Sequence, residues 1–117
     1  MRLTTGRGDK GSYGDRTPAM FLSPENKMYF VSAVNGDGDY DFKVTEAIKL
    51  NQKYHIEIHQ RYISQGNYRF FMKIDRVEVH SIVNNDARQF YDVKVYASDQ
   101  YFDAIGFISN LHLTNFL

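Results

Sequence analysis

Apolar and polar residues alternate along several short stretches of this chain, which is the pattern of strands that lie half buried in a sheet. One face of residues 28–34 carries Met28, Phe30, Ser32 and Val34. The same period of two predicts further strands over residues 40–44, 53–63, 68–74, 77–80, 90–97 and 106–116. Residues 46–50 are one weak helical candidate, and a crossover loop suits them better.

The apolar faces of the last two predicted strands are expected to point inward. These faces consist of Val93, Val95 and Ala97 in the first strand, and of Phe107, Leu111 and Leu113 in the second. Turn residues separate the strands. Asn35-Gly36 is the clearest hairpin signal, because both residues tolerate the positive φ of a tight turn. Gly66-Asn67 and Asp75-Arg76 predict two more turns, and the glycine-rich residues 6–16 predict a loop.

Composition supports the same fold class. Val, Ile, Thr, Phe and Tyr make up 39 of the 117 residues, whereas Ala and Leu make up only 12. Branched and aromatic side chains favour strands, and the ten Asp against four Glu favour turns over helices. We therefore predict a single all-β domain over residues 1–117, a sandwich or barrel rather than alternating strands and helices.

Charge and cysteine content exclude several classes of function. Fourteen basic residues balance fourteen acidic ones, so the chain lacks the basic surplus of a protein that binds nucleic-acid backbones. The absence of cysteine excludes disulfides, thiolate metal sites and a cysteine nucleophile. No apolar run reaches the roughly 20 residues of a membrane span.

Eight short motifs follow one another in a recognisable order. They are residues 3–6 (LTTG), 13–19 (YGDRTPA), 33–36 (AVNG), 53–58 (KYHIEI), 73–75 (KID), 79–81 (VHS), 93–99 (VKVYASD) and 106–111 (GFISNL). This order resembles that of the concanavalin A-like jelly-roll modules, laminin-G-like in layout, of secreted animal proteins.

The resemblance implies an antiparallel jelly-roll β-sandwich and a non-enzymatic, extracellular binding or adhesion module. Its expected partner is a carbohydrate or a glycan-bearing protein, bound at a loop rim that often also holds calcium. The chain departs from laminin-G-like domains in lacking their cysteine pair. It also begins almost directly at the LTTG motif, where such domains have earlier strands. We therefore expect a shortened or compact chain, or first strands supplied by another segment or chain.

The expected site residues combine the calcium pair and rim that the resemblance implies with the aromatic residues that cluster near the end of the sequence. The rim would be formed by the loops at residues 6–16 and 98–104, with Tyr101 and Phe102 exposed for stacking against a sugar. The other expected ligand-binding residues are Tyr13, Arg16 and Asn35. The two carboxylates expected to hold Ca²⁺ are Asp15 and Asp99. Alternatively, Asp15 pairs with a neighbouring arginine or caps its own turn, and the two aromatic residues fold over the end of the sandwich.

Two other motifs have weaker support. Arg7-Gly8-Asp9 matches an integrin-binding tripeptide, although a charged glycine-rich turn explains it equally simply. Asp37, Asp39 and Asp41 have the initial spacing of a calcium loop. The residues that should follow are absent, and in a hairpin the three carboxylates stand about 7 Å apart. We interpret them as the solvated tip of a hairpin.

The run His55, Glu57, His59 suggests zinc, but its context is a strand. Four strand residues separate the histidines by about 13 Å, whereas Zn²⁺ binds nitrogen at about 2.0–2.1 Å. Glu57 also lacks the acidic partner that a retaining jelly-roll glycosidase needs about 5–5.5 Å away. We therefore expect no enzyme.

Two functional hypotheses follow. The first is recognition of carbohydrate at the loop rim, with or without the help of Ca²⁺. The second is a structural subunit that assembles through exposed strand edges, as a homo-oligomer or with a strand-donating partner chain. In that hypothesis residues 106–116 form an edge open to strand addition.

Overall fold

The computed structural model describes residues 1–4, 13, 16–91, 93–97 and 106–114, and within these ranges it is all β, without a helix. The strands are β1 (Arg2–Thr4), β2 (Ala19–Leu22), β3 (Lys27–Val34), β4 (Asp37–Ala47), β5 (Ile56–Ser64), β6 (Asn67–Ile74), β7 (Val77–Asn84) and β8 (Lys94–Tyr96). The prediction of an all-β chain is confirmed.

Two antiparallel sheets make up the structure. The first has five strands in the order β4-β3-β2-β1-β8, and the second has three in the order β5-β6-β7. The first four strands follow one another across their sheet, and the next three do the same in theirs. After β7 the chain returns to the first sheet, where β8 pairs with β1 in the register Leu3 to Val95.

The tight turns follow the predicted chemistry. Asn35 and Gly36 both have positive φ, at 54° and 81°, which matches the twist of the β3–β4 hairpin. Asp75 and Arg76 also have positive φ, at 50° and 70°, between β6 and β7. The turn before β6 uses residues 65–66, one position earlier than predicted.

One apolar core joins the two sheets. Its fully buried members are Met28, Phe30 and Val34 of β3 and Phe70 and Met72 of β6. Partly buried side chains from both sheets surround them: Met20, Tyr40, Phe42, Val44, Ile48, Tyr54, Ile56, Ile58, Ile74, Val79 and Ile82. Strand β3 of the larger sheet and the middle strand β6 of the smaller sheet therefore supply these residues. The predicted face of Met28, Phe30, Ser32 and Val34 is buried, but Val31 and Ala33 on the opposite face are buried as well.

The strand predicted over residues 90–97 is wrong in extent. Only Lys94–Tyr96 pair as a strand, and Val95 remains 42% exposed rather than inward and buried. Ala97 is exposed as well, and Val93 is half-buried. The physical reason is the difference in sheet width, because the five-stranded sheet extends past the three strands that face it.

The strand predicted over residues 106–116 is not formed in its described part, residues 106–114. Phe107, Leu111 and Leu113, expected inward, are exposed by 103%, 48% and 58%. A strand needs a neighbour to pair with its backbone groups, and none of the described strands lies beside this segment. Asn110 has a φ of 55°, which further interrupts an extended run.

The sequence pattern missed two strands and misplaced some ends. β1 and β2 are only three and four residues long, too short for a period of two to show. β7 continues four residues past the predicted end at His80. β5 begins at Ile56 instead of residue 53.

Replacement of Val34 by Ala tests the core. Val34 is fully buried, so its loss should lower the free energy of unfolding by about 2 kcal/mol through lost apolar burial and a residual cavity. Val77→Ala is the matched control, because Val77 is 65% exposed and should change stability by less than about 0.5 kcal/mol. Urea denaturation measures both, and equal effects would contradict the proposed core.

Candidate binding rim

One end of the sandwich brings together residues that are far apart in the sequence. The β3–β4 turn, the end of β7 and the segment after it meet there, and Tyr13 lies against them. We call this group the rim cluster, which consists of Tyr13, Arg16, Asn35, Asp39, Asn84, Asp86, Arg88 and Phe90. Three of the five predicted ligand-binding residues belong to it.

A pair of asparagines ties the two sheets together at the rim. The backbone N–H of Asn35 donates to Asn84 Oδ1 at 2.9 Å, and Asn35 Nδ2 donates to the backbone oxygen of Val83 at 2.9 Å. Asn35 Oδ1 accepts a bond from the backbone N–H of Asn85 at 2.7 Å. All of the side-chain polar atoms of Asn35 are thus used within the protein.

Asn84 is the buried centre of this network. It has no exposed surface, and its Oδ1 also accepts from the backbone N–H of Asp86 at 3.1 Å. Its Nδ2 donates to Gln60 Oε1 on β5 at 2.8 Å. A buried amide is tolerated only when it is hydrogen-bonded, and here both ends of the amide are.

Tyr13 packs across the same end. Its hydroxyl donates to the backbone oxygen of Asp86 at 2.9 Å. Its ring stacks on Phe90 with centroids 6.1 Å apart, and the guanidinium of Arg88 lies 3.8 Å from its centroid. A Cβ placed on Gly38 would lie 3.6 Å from Tyr13 Cα. Tyr13 therefore connects the start of β4 with the segment after β7.

Asp86 and Arg88 form a two-bonded pair beside Tyr13. Arg88 Nε donates to Asp86 Oδ1 at 3.0 Å, and its Nη2 donates to Oδ2 at 2.7 Å. The side chains are 51% exposed for Arg88 and 35% for Asp86. The hydrogen bonds from Arg88 hold the pKa of Asp86 below its usual value. Burial, followed by the nearby Asp86 charge, raises the pKa of Tyr13.

Arg16 joins the rim through β4. Its Nη1 donates to Asp39 Oδ1 at 3.1 Å, and its guanidinium lies 5.7 Å from the ring of Phe21. Asp37 Oδ1 in turn accepts from the backbone N–H of Asp39 at 2.8 Å. The first two carboxylates of the Asp37-Asp39-Asp41 run thus have partners, Asp37 within the hairpin and Asp39 in Arg16.

Tyr91 is an exposed aromatic residue that the sequence analysis did not select. It follows Phe90 directly, and 70% of its surface is exposed. The available signal was the adjacent Phe90-Tyr91 pair in a predicted strand, where consecutive side chains point to opposite sides. One ring packs on Tyr13 and the other faces solvent.

Several predicted residues lie outside the described part of the chain. These are Tyr101, Phe102, Asp15, Asp99 and the Arg7-Gly8-Asp9 motif. Among the described residues, no group of three or more His, Asp or Glu side chains could hold a metal ion. The expected calcium pair thus stays a prediction.

A half-buried histidine lies between the sheets, away from the rim. His80 of β7 stacks on Phe42 of β4 with centroids 4.2 Å apart, and its Nε2 is hydrogen-bonded to the Tyr40 hydroxyl at 2.8 Å. Burial lowers the pKa of His80 and raises that of Tyr40. This contact helps to fix β7 over β4.

The outer face of the three-stranded sheet carries the His55-Glu57-His59 row. His59 Nε2 donates to Glu57 Oε2 at 2.8 Å, and His55 Nε2 lies 3.4 Å from Glu57 Oε1. His59 stacks on Phe71 with centroids 4.6 Å apart. The hydrogen bond from His59 lowers the pKa of Glu57. The side chains of His55 and His59 thus both approach the Glu57 carboxylate.

Comparison with models of protein families, with curated proteins and with solved structures gives no match for this chain. Within the described ranges there is no helix with the length and apolar character needed to cross a membrane.

Replacement of Asn84 by Ala should destabilise the protein markedly. It removes the acceptor shared by two backbone N–H groups and leaves a cavity, at a cost of about 2–4 kcal/mol in the free energy of unfolding. The control is Asn85→Ala, because Asn85 is exposed and bonds through its backbone. Chemical denaturation compares the two, and similar stabilities would contradict a bridging role for Asn84.

His80 should make stability depend on pH. Its folded pKa lies below the ordinary 6.5, so the unfolded chain binds a proton first as the pH falls through about 6.5. The free energy of unfolding should therefore decrease from pH 6.5 down to the folded pKa.

Urea titrations at a series of pH values measure this slope in the wild type and in His80→Phe, which keeps a ring against Phe42. The slope near pH 6.5 should become shallower in His80→Phe and persist in His55→Gln, because the His55 side chain is 67% exposed. An unchanged slope in His80→Phe would assign the effect to another group.

Proposed function

We propose that this chain is a non-enzymatic binding module that recognises carbohydrate at the rim cluster together with Tyr91. The observation that carries the proposal is the Asp86–Arg88 pair. It is held in a defined orientation by Tyr13 and Asn84, yet about half of the Arg88 side chain remains exposed.

This pair suits the chemistry of a sugar. A hydroxyl group both donates and accepts hydrogen bonds, and neighbouring hydroxyls on a sugar ring offer two such groups side by side. The Asp86 carboxylate accepts and the Arg88 guanidinium donates, so the pair can serve both needs at once. Tyr91 adds an exposed ring with an apolar body and a polar tip, which can lie against the C–H face of a sugar.

The internal hydrogen bonds of the rim support binding rather than compete with it. Asn35 and Tyr13, which we predicted as direct ligands, use their polar atoms to hold Asn84 and Asp86 in place. A site fixed before binding loses less conformational freedom when the ligand arrives. We therefore assign Asn35 and Tyr13 a positioning role, and Asp86, Arg88 and Tyr91 the direct contacts.

The finer features expected from the resemblance belong to the same proposal. They are the jelly-roll arrangement of the sandwich, an extracellular location, the stacking residues Tyr101 and Phe102, and Ca²⁺ held by Asp15 and Asp99. The return of β8 to pair with β1, after three strands in the other sheet, supports the jelly-roll arrangement.

A glycan array with neutral, sialylated and sulfated sugars, followed by calorimetric titration of the best sugar, tests this function. Tyr91→Ala should weaken binding at least about tenfold, because an exposed stacking ring contributes strongly to affinity. Leu50→Ala is the control, since Leu50 is 79% exposed and follows β4 at the opposite end of the sandwich. It should bind like the wild type.

The same titration, repeated in the presence of EDTA and with the Asp99→Asn variant, tests whether binding at the rim depends on calcium. Loss of binding in both experiments would support a calcium-assisted site. Binding that survives both experiments but is lost in Tyr91→Ala would support the rim as the binding site and contradict a role for calcium. An array without any bound sugar, or equal affinities for Tyr91→Ala and Leu50→Ala, would contradict the proposed function.

A further inference from the structure

Residues 106–114 form a segment with exposed apolar side chains that pairs with none of the described strands. We call this segment the apolar arm. Phe107 is 103% exposed, and Ile108, Leu111 and Leu113 are 51%, 48% and 58% exposed. Large apolar side chains grouped in this way mark a surface that is covered by a partner.

The sandwich has an incomplete side where such a segment fits. Strand β7 lies over β4, as shown by the contact of His80 with Phe42. Because the facing sheet has the order β5-β6-β7, β5 is its edge on the side of β1 and β8. No described strand faces β8 beyond that edge.

Exposed inner-facing side chains mark this incomplete side. Tyr62 alternates with the inner residues Ile56 and Ile58 along β5, yet it is 63% exposed. Val95, which pairs with the buried Leu3, is 42% exposed. Tyr62 pairs with Tyr68, and Tyr68 with Asn84, so Tyr62 lies at the rim end of the sandwich.

We infer that the chain forms a symmetric dimer in which the apolar arm of each copy adds to the outer edge of β5 in the other copy, the edge that no described strand covers. The arm spans nine residues, residues 106–114, and β5 also has nine. The edge of β5 offers backbone groups that need partners. Phe107, Leu111 and Leu113 would then continue the inner face of the smaller sheet, beside Tyr62.

The exposed area is sufficient for a stable dimer. A phenylalanine presents on the order of 200 Å², and the three partly exposed aliphatic side chains add a comparable area. Two arms, each covering an equal area on the other copy, would bury on the order of 1,600 Å², the size of a standard stable interface.

Charge does not oppose this association. The described arm has no Lys, Arg, Asp or Glu, and the chain as a whole has a net charge of zero. Two copies therefore approach without net repulsion. In contrast, β4, the longest of the described edge strands, carries the exposed charged residues Asp37, Asp39, Asp41 and Lys43, and charges on an edge discourage pairing.

Sedimentation or light scattering from micromolar to millimolar concentration tests the dimer. The wild type should show a mass twice that of the chain. A variant with Phe107→Ser, Leu111→Ser and Leu113→Ser should associate more weakly by about a hundredfold or more. These side chains are exposed and lie outside the core of the sandwich, so circular dichroism should remain that of the wild type. Leu50→Ser, an equally exposed substitution outside the arm, should still dimerise.

A second variant, Tyr62→Lys, tests the receiving edge and should also become monomeric. In a mixture of the arm variant and Tyr62→Lys, one intact arm meets one intact edge, so partial dimerisation should return. Pairing of arm with arm would give no recovery in the mixture and would overturn the inference. A wild type that stays monomeric throughout the concentration range would overturn it as well.

Discussion

The buried amide of Asn84 is the contact on which the rim end of the molecule depends. It binds the turn of one sheet, the edge of the other, and the segment that leaves β7. An apolar core draws the two sheets together but does not fix their relative position closely, because dispersion contacts have little direction. A buried polar group whose hydrogen bonds are all made does fix the relative position of the sheets, because any displacement leaves a buried donor or acceptor without a partner.

This constraint supports the proposal that the rim is arranged for a ligand before binding. Tyr13 and Asn35 use their hydrogen-bonding groups internally, and so they hold Asp86 and Arg88 at the surface. The charged pair stays partly exposed, and in the proposed function it exchanges water for the hydroxyls of the ligand. In this proposal, some residues hold the site in place and different residues contact the ligand, as in sites whose geometry is set before binding.

The two long sides of the sandwich differ in the same physical terms. On one side His80 closes β7 over β4 through stacking and a hydrogen bond. On the other side, β5 ends the smaller sheet early, and the larger sheet continues beyond it. Exposed apolar residues occur on this second side and on the arm. Among the described residues neither the edge of β5 nor the arm has a pairing strand, which is why we infer that they pair between copies.

The sequence by itself determined the fold class, the two positive-φ turns at Asn35-Gly36 and Asp75-Arg76, and the buried face of β3, because these follow from local backbone preference and period. It could not show that Asn84 is buried, that Tyr91 is exposed, or that Asn35 and Tyr13 share one end with Arg88. Those facts depend on contacts between residues about 50 to 70 positions apart. Likewise, the sequence pattern predicted a strand over residues 106–116, but only the tertiary structure decides whether a neighbour exists to pair with it.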